Sequence, residues 1–474
     1  MWDRDFSAGN WLNDAGNMMA FDLRFTDKEI TAWGGMGIMK RMLDHLGFHS
    51  ALRACGLPQP GSNRGYRPEQ LITQFMLSVW CGANRFEHGE VTRHDPVLSR
   101  LFGFTRMANF KAVMRLFRRF TQHTNESVMD SLYQWMFGQI AVNGVTLDLD
   151  STVMTRYGAQ DGAARGYNPA KRGRASHHPL MAFVADTRMI ANCWLRPGHS
   201  SSANNVQGFL ANTLHRLGDK RVCLLRADSG FSDSAFLDHL DVQQMPHIIA
   251  LRQHQPLQRA LVKATGWWVL HDEHGTPVDG IELTRFTYQP EAWSKPRWVV
   301  GIRQSITQRA EPKGKTLNLF ADDPVMGQWR FSALTTDLDL PAVAVWRLYR
   351  GRADCENRIK ELKYDFAADS FNMKDFWATE ATLNTVMLAY NLMSLMRQVL
   401  LKGSAVKHSS NSVQHTLQTL RYKLFAKAAY ITTESRQPIL NLAVAMQQRA
   451  WMQGLWDAAK TFDLPASFTP VYSP

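Results

Sequence analysis

This sequence has no C-x-x-C pair and no uninterrupted apolar run, and its first residues do not have the pattern of a signal peptide. Its 5 cysteines in 474 residues never form a C-x-x-C pair, so we expect no zinc site or disulfide framework, and a reducing cytoplasm is the expected compartment. The N-terminus has neither the basic nor the apolar region of a signal peptide. The most apolar stretch, 382–401, is interrupted by Asn384, Asn391, Ser394 and Arg397, which indicates a buried helix rather than a membrane span.

Acidic residues are fewer than basic residues. The chain has 54 Lys and Arg against 42 Asp and Glu, for a formal net charge of +12. Binding of Lys and Arg to phosphates releases counterions, so this balance favours a polyanionic partner. Charge alone also fits a basic protein that binds anionic membranes or nothing specific. With 45% hydrophobic and 20% charged residues, the composition is that of a globular protein of roughly three domains.

The first part of the chain has the apolar spacing of helices. After a polar, aperiodic arm (1–30), helices are predicted at about 36–46, 68–80, 96–102, 109–120 and 126–140. Short helices joined by tight turns are typical of helix-turn-helix DNA readers. One of them and its lead-in carry five basic residues: Arg106, Lys111, Arg115, Arg118 and Arg119. A helical bundle with a basic exterior explains the same pattern.

From residue 144 the period changes to that of a strand. In VTLDLD, Asp148 and Asp150 lie on one face and the apolar residues on the other. Two carboxylates on one strand face are costly in a core unless they are paired or bind a metal. A strand-end Asp that starts a turn is the alternative for Asp150, and less so for Asp148.

A basic loop follows this strand. It contains Lys171, Arg172, Arg174 and the pair His177–His178, with no acid between 165 and 178. A loop of this kind beside a carboxylate strand suits backbone phosphates, and a mobile solvated loop is the alternative.

Further strands are predicted at 180–185 and 189–195, and then a buried one that ends at Asp228. Acids at the ends of adjacent strands can share one edge of an open sheet, although Asp-Ser-Gly is also a common tight turn. Residues 253–336 alternate or are rich in β-branched and aromatic residues, which predicts mostly strand.

The stretch 346–366 predicts a helix with one buried side. At about 100° per residue, Tyr349, Arg352, Glu356 and Lys363 share one stripe of that helix. Such a stripe can combine a metal-binding acid with groups that hold a phosphate. The alternative is a solvated face with local ion pairs between Arg352 and Glu356 and between Glu356 and Lys360.

The spacing of these four residues resembles a known signature. Tyr349-(2)-Arg352-(3)-Glu356-(6)-Lys363 is similar to the Y-(2)-R-(3)-E-(6)-K signature of DDE transposases from bacterial insertion sequences, in particular the thirteen-eighty family and the related family-four group. The resemblance implies that Glu356 is the last of three metal-binding acids and that the other three residues contact DNA.

The same resemblance implies roles for residues upstream. Asp150, which precedes Ser151-Thr152, becomes the first catalytic acid and Asp228 the second, with Asp148 either a supporting residue or a rival. The three acids would hold two Mg²⁺ or Mn²⁺ ions. The loop residues Lys171, Arg172 and Arg174 would contact DNA.

The fold and cellular setting also follow from the resemblance. We expect an α/β ribonuclease H-like catalytic core (144–252 and 337–372) with a β-rich insertion (253–336), flanked by a helical DNA-binding domain (31–143) and a helical C-terminal region (373–474). One insertion tryptophan could stack on a flipped base; the candidates are Trp267, Trp268, Trp293, Trp298 and Trp329.

The expected partners are double-stranded DNA at the element's ends and at the target, with a homodimer on DNA in the bacterial cytoplasm at the nucleoid. The alternatives are a junction-resolving or ribonuclease H-like nuclease and a non-catalytic DNA-binding regulator.

Overall fold

The computed structural model describes residues 22–61, 65–272, 274–306, 328–401 and 415–473. Most of the predicted arm (1–21) and part of the predicted insertion (307–327) lie outside the described residues. The described part of the arm, 22–30, is exposed and lacks regular structure.

The region from 31 to 143 is helical, as predicted. Its helices are α1 (Met36–His45), α2 (Phe48–Ala54), α3 (Pro68–Trp80), α4 (Gly89–Arg93), α5 (Pro96–Leu101), α6 (Phe110–Phe117) and α7 (Gln122–Gly138). Local chemistry fixes where several begin. Pro68 occupies the first turn of α3, and the side chains of Asp95 and Asn109 accept backbone N–H bonds at the starts of α5 and α6. Helices α2 and α4 are short and were not predicted.

The strands follow in chain order. They are β1 (Ile140–Ala141), β2 (Val145–Ser151), β3 (Met154–Thr155), β4 (Ala164–Arg165), β5 (Ala175–His177), β6 (Leu180–Val184), β7 (Met189–Trp194), β8 (Val222–Ala227), β9 (His247–Ala250), β10 (Trp268–His271), β11 (Pro277–Tyr288), β12 (Arg297–Ser305), β13 (Trp329–Thr336), β14 (Ala429–Glu434), β15 (Gln437–Leu442) and β16 (Ala466–Ser467). Nine of them form one sheet in the order β10-β11-β12-β13-β9-β8-β2-β6-β7.

Half of this sheet has the predicted ribonuclease H-like arrangement. Strand β2 pairs antiparallel with β6, and β6 antiparallel with β7. On its other side β2 pairs parallel with β8, which pairs parallel with β9. Helices α8 (Val206–Leu217) and α9 (Ser234–Val242) make the crossovers that parallel strands require. The carboxyl ends of β2 and β8 therefore lie at the same edge of the sheet.

The strands predicted as an insertion continue the same sheet. Helix α10 (Gln255–Lys263) precedes them, and β13 pairs antiparallel with β9 through residues 334–336. Strands β10 to β13 then follow as antiparallel neighbours. The β content is as predicted, but the sequence did not indicate that these strands would extend the core sheet.

The segment that carries the four-residue signature is two helices rather than one. Helix α11 (Ala342–Arg350) is followed by a 3-10 turn (Gly351–Ala353) and then by helix α12 (Asp354–Tyr364). The prediction of one continuous helix over 346–366 is wrong at this turn, and the ideal 100° spacing does not hold across it.

The apolar stretch near the C-terminus is a buried helix, as predicted. Helix α13 (Phe376–Val399) contributes nearly all of its residues to the interior. The amide of Asn391 bonds both the N–H and the C=O of Ile190, at 2.7 and 2.8 Å, which ties the helix to strand β7. Within the described ranges, no helix is long and apolar enough to cross a membrane.

The rest of the C-terminal region contains a hairpin that the sequence analysis did not predict. Helix α14 (Leu417–Leu420) and a π turn (Arg421–Phe425) precede the β14–β15 hairpin, and helix α15 (Met446–Ala458) follows it. The prediction of a helical C-terminal region (373–474) is therefore wrong at this hairpin. Thr31 bridges to Ala429, so the hairpin joins the N-terminal region.

Candidate active site

The first two predicted acids lie at the ends of neighbouring parallel strands. In the β2–β8 register, Leu149 is paired with Ala227, and the next residues along the two strands are Asp150 and Asp228. Neighbouring strands are about 4.8 Å apart, so the two carboxylates share one edge of the sheet. Asp150 Oδ1 accepts from the Ser151 N–H at 2.7 Å, and Asp228 Oδ1 accepts from the Gly230 N–H at 2.9 Å.

An ion pair between Arg352 and Asp150 holds the segment that carries the four-residue signature (349–363) against strand β2. Arg352 Nη2 lies 2.9 Å from Asp150 Oδ2 and donates to the Leu149 carbonyl at 3.3 Å. The local alternative, an ion pair between Arg352 and Glu356, is absent from the salt bridges of the described chain, where Arg352 pairs with Asp150 instead. Glu356 is exposed at the start of α12, and none of the described salt bridges includes it.

The three predicted acids influence one another electrostatically. Burial raises the pKa of Asp150 to about 6; Arg352 and the Ser151 amide oppose this, and the nearby Asp228 and Glu356 carboxylates add to it. Burial lowers the pKa of Arg352, but the Asp150 carboxylate and its neighbours raise it by more, so the guanidinium stays charged. The site therefore carries a concentration of negative charge that Arg352 only partly neutralises.

This donor set fits a divalent cation. Three carboxylates are the oxygen ligands that Mg²⁺ and Mn²⁺ prefer. Burial is the main cause of the raised pKa of Asp150, and the Asp228 and Glu356 carboxylates add a smaller effect that a cation would offset. Across the described ranges, no three His, Cys, Asp or Glu side chains are gathered closely enough to hold an ion as they stand. In this arrangement the guanidinium of Arg352 takes the place of a cation at Asp150.

Asp148 is paired with Arg226. Its two carboxylate oxygens accept from Arg226 Nε and Nη2 at 2.6 and 2.7 Å, and both residues are almost fully buried. Metal ligation by Asp148 would leave the Arg226 charge buried without a partner, at high cost. The arrangement favours the supporting role for Asp148 over the rival one.

Tyr349 lies near the acids, and Lys363 bonds to a backbone carbonyl of the protein. Burial raises the pKa of the Tyr349 phenol, which also lies near Arg352 and Asp228. Lys363 Nζ donates to the Val153 carbonyl at 2.9 Å, and burial lowers its pKa.

The basic loop surrounds a cavity of about 440 Å³. The lining residues include four arginines and no acid: Arg156, Tyr157, Gly158, Arg165, Arg172, Gly173, Arg174 and Ala175. Arg156 is buried, and within the described residues it donates to neutral acceptors, namely His177 Nδ1, the Asp369 carbonyl and Met154 Sδ. Lys171, Arg172 and Arg174 are exposed. The cavity therefore combines a buried positive charge with a cationic rim.

The two loop histidines are structural. Because His177 Nδ1 accepts from Arg156, its Nε2 carries the proton and donates to the Asp161 carbonyl at 3.0 Å. His178 bonds the Ser200 carbonyl through Nδ1 and the Ser151 hydroxyl through Nε2. Burial lowers the pKa of both rings, to about 4 for His177.

The strand register places two of the candidate tryptophans, Trp329 and Trp298, at opposite ends of their strands. Strand β13 runs antiparallel to β9, so Trp329 at its start lies toward the edge that holds Asp228, whereas Trp298 is paired with Thr336 at its end. Trp267 and Trp329 flank the Arg303 guanidinium at 4.6 and 4.5 Å. The other two differ in burial: Trp293 is buried and Trp268 is exposed.

Sequence reasoning missed two arginines. Arg226 lies in a strand that reads as almost continuously apolar, and a charged residue two positions before Asp228 was the available signal. Arg156 lies just before the loop, and its burial could not be inferred from the surrounding polar residues.

The chain is similar to known proteins in its sequence and its structure. No curated protein matches the chain. Among solved structures, the chain is similar to a piggyBac transposase in a synaptic complex with hairpin DNA, determined by cryo-electron microscopy, with 12% identity, coverage of 84% of this chain and 81% of that chain, and a TM-score of 0.41. A family model described as transposase DDE domain group 1 matches residues 15–460. The chain therefore belongs to this family of DDE transposases, metal-dependent enzymes that cut and transfer DNA strands.

Proposed function

We propose that this transposase excises an insertion sequence and joins it to new DNA by cut and paste, with Asp150, Asp228 and Glu356 as its catalytic acids. The observation that carries the proposal is the placement of Asp150 and Asp228 on adjacent strand ends, with Arg352 holding the Glu356 segment against them. In the first step, water adds across a P–O3′ bond and leaves a 5′-phosphate and a free 3′-OH. In the second, that 3′-OH attacks a target phosphodiester and displaces its O3′.

The three carboxylates would hold two Mg²⁺ or Mn²⁺ ions. When bound, such ions lower the pKa of an attacking water and neutralise charge on the leaving oxygen. The protein's own groups orient the DNA. Arg352 presents a planar fork and Lys363 a point charge to the phosphate beside the cleaved bond, and Tyr349 contacts phosphate without forming a covalent bond.

The basic cavity supplies a path for the DNA backbone beyond the catalytic edge. Arg172 and Arg174 stand at its rim, with Lys171 next to Arg172 in the sequence, and the hydrogen bonds of Arg156 within the described residues include no carboxylate. Phosphates are suited to offset a buried positive charge of this kind. Burial lowers the pKa of Lys363, the Asp369 carboxylate raises it, and the Arg156 charge lowers it further. Lys363 therefore lies close to Arg156. The path thus runs from the catalytic acids through Lys363 to the loop.

The proposed partners are the terminal repeats of the element and a target duplex. The helical region 31–143 would bind the repeats with its basic α6. Two ends must be brought together for transposition, so we propose a homodimer on DNA, in a bacterial cytoplasm at the nucleoid.

The test compares the wild type with Glu356→Gln on DNA that carries the element's own ends. The substitution removes a charge and keeps the size of the side chain, so cleavage in Mg²⁺ or Mn²⁺ should be abolished while end binding is retained. Glu434→Gln, at an exposed glutamate of the β14–β15 hairpin, is the matched control and should cut like the wild type. Equal loss of cutting and binding in Glu356→Gln would contradict the metal role.

The products of the same reaction separate the alternatives. Joined strands from a cleaved end would exclude a nuclease without strand transfer. DNA binding that does not change when a chelator is added, with no cutting in Mg²⁺ or Mn²⁺, would indicate a DNA-binding regulator. A trapped phosphotyrosine would overturn the role given to Tyr349.

A further inference from the structure

A buried ion pair lies next to the two proposed catalytic aspartates, two residues before each of them on its strand. Asp148 is two residues before Asp150, and Arg226 is two residues before Asp228. Side chains two apart on a strand point to the same face, and Asp148 and Arg226 are themselves paired across β2 and β8. Asp148 is 2% exposed and Arg226 is 1% exposed. The Asp148–Arg226 pair therefore lies beside the two acids on the same face of the sheet and farther from its edge.

Arg226 also binds the segment that carries the third acid. Its Nη1 donates to the Leu348 carbonyl of α11 at 2.5 Å, while Nε and Nη2 hold Asp148. The 3-10 turn that follows begins at Gly351, where a Cβ would lie 2.8 Å from Arg226 Nη1. Because the guanidinium is buried and held by three hydrogen bonds, it cannot move aside easily. Glycine at this position lets the backbone approach Arg226.

We propose that Arg226 and Asp148 are positioning residues that fix the spacing of the three catalytic acids. One planar guanidinium joins the Asp150 strand, the Asp228 strand and the Glu356 segment, so their relative placement is set before any ligand binds. Arg226 also balances the Asp148 charge, which would otherwise add to the repulsion around Asp150. This inference rests on the proposed assignment of the acids.

A merely structural pair would behave differently. Replacing a buried ion pair with apolar residues of similar volume is often neutral or stabilising, whereas removing one partner is strongly destabilising. The double variant Asp148→Leu/Arg226→Met therefore removes the connection to Leu348 without leaving a buried charge. If the pair serves only stability, this variant should keep its metal affinity.

The experiment measures Mn²⁺ binding by loss of the free-ion electron paramagnetic resonance signal, alongside cleavage, end binding and thermal unfolding. For the double variant we expect a folded protein that binds DNA ends like the wild type, with a Mn²⁺ dissociation constant raised about 10-fold or more and slower cleavage. Gly351→Ala keeps both charges and forces the turn away from Arg226. It should raise the same constant in the same direction, and it decides the question if the double variant does not fold.

The control removes another ion pair, between the buried Arg216 and the partly exposed Asp130. Arg216 Nε lies 2.7 Å from Asp130 Oδ1 and joins α8 to α7, away from the catalytic edge. Asp130→Leu/Arg216→Met should leave the Mn²⁺ constant unchanged. Wild-type Mn²⁺ affinity and cleavage in both the double variant and Gly351→Ala would overturn the positioning role alone. A wild type that shows no metal-dependent cleavage would overturn the proposed function, and the positioning role with it.

Discussion

Glu380 should destabilise the folded protein at neutral and alkaline pH. It is buried in α13, and the Leu195 N–H donates to it at 3.0 Å. Burial raises its pKa from 4.5 to about 7, although the Leu195 amide and Arg216 lower it. The folded state therefore binds a proton more tightly than the unfolded state, and the free energy of unfolding falls as pH rises from 4.5 to about 7. At about 1.4 kcal/mol per pKa unit, the full penalty is roughly 3 kcal/mol.

Glu380→Gln should remove this penalty. The amide oxygen can still accept from Leu195, and the side chain no longer ionises. In urea unfolding at pH 8 we expect the variant to be more stable than the wild type by up to roughly 3 kcal/mol, with little difference near pH 4.5. A variant that is less stable at pH 8, or a difference that does not change with pH, would refute the reasoning.

Glu361 is the matched control because it is equally buried but paired. Arg397 Nη2 and the Leu417 N–H both donate to its Oε1, the latter at 2.9 Å. Glu361→Gln leaves Arg397 buried without a countercharge, so we expect destabilisation of about 3 to 5 kcal/mol at pH 8. The two buried glutamates should therefore respond to the same substitution with opposite signs.

Three further predictions concern DNA. Arg352→Lys keeps the charge but not the planar fork, so single-turnover cleavage should fall at least about 10-fold while end binding changes little; equal rates would show that charge alone suffices. Lys171→Ala/Arg174→Ala should reduce the slope of log K against log salt for end binding by about 1.8, and an unchanged slope would mean that the loop does not bind phosphates. Trp329→Ala should weaken binding of ends with an unpaired base by about 1 to 3 kcal/mol, and Trp298→Ala should not; the reverse result would place the stacking site at the other end of the sheet.

The core sheet was predictable because its residues follow local rules. The alternation of VTLDLD and the apolar run before Asp228 reflect how strongly each strand is buried, and burial is what periodicity reports. Strand pairing is a different matter. Nothing local in the segment at 334–336 shows that it pairs with 248–250, so the continuity of the insertion with the core could not be read from the sequence. The β14–β15 hairpin was missed because Ser435 and Arg436 adopt positive φ angles that sequence does not favour for such residues.

The residues of the candidate site were proposed from the sequence and their roles stay predictions, whereas their contacts could not be proposed in this way. The signature placed Arg352 on the exposed stripe of a helix, facing DNA. In the structure the chain tightens at Gly351 and Arg352 turns inward to Asp150. Only the tertiary fold can create this contact, since 202 positions separate the two residues in the sequence (352 − 150). In the proposed mechanism, a cation that binds Asp150 competes with Arg352, and the guanidinium released by that exchange can then bind a phosphate. The same residue can thus serve as internal countercharge before DNA binds and as phosphate ligand afterwards.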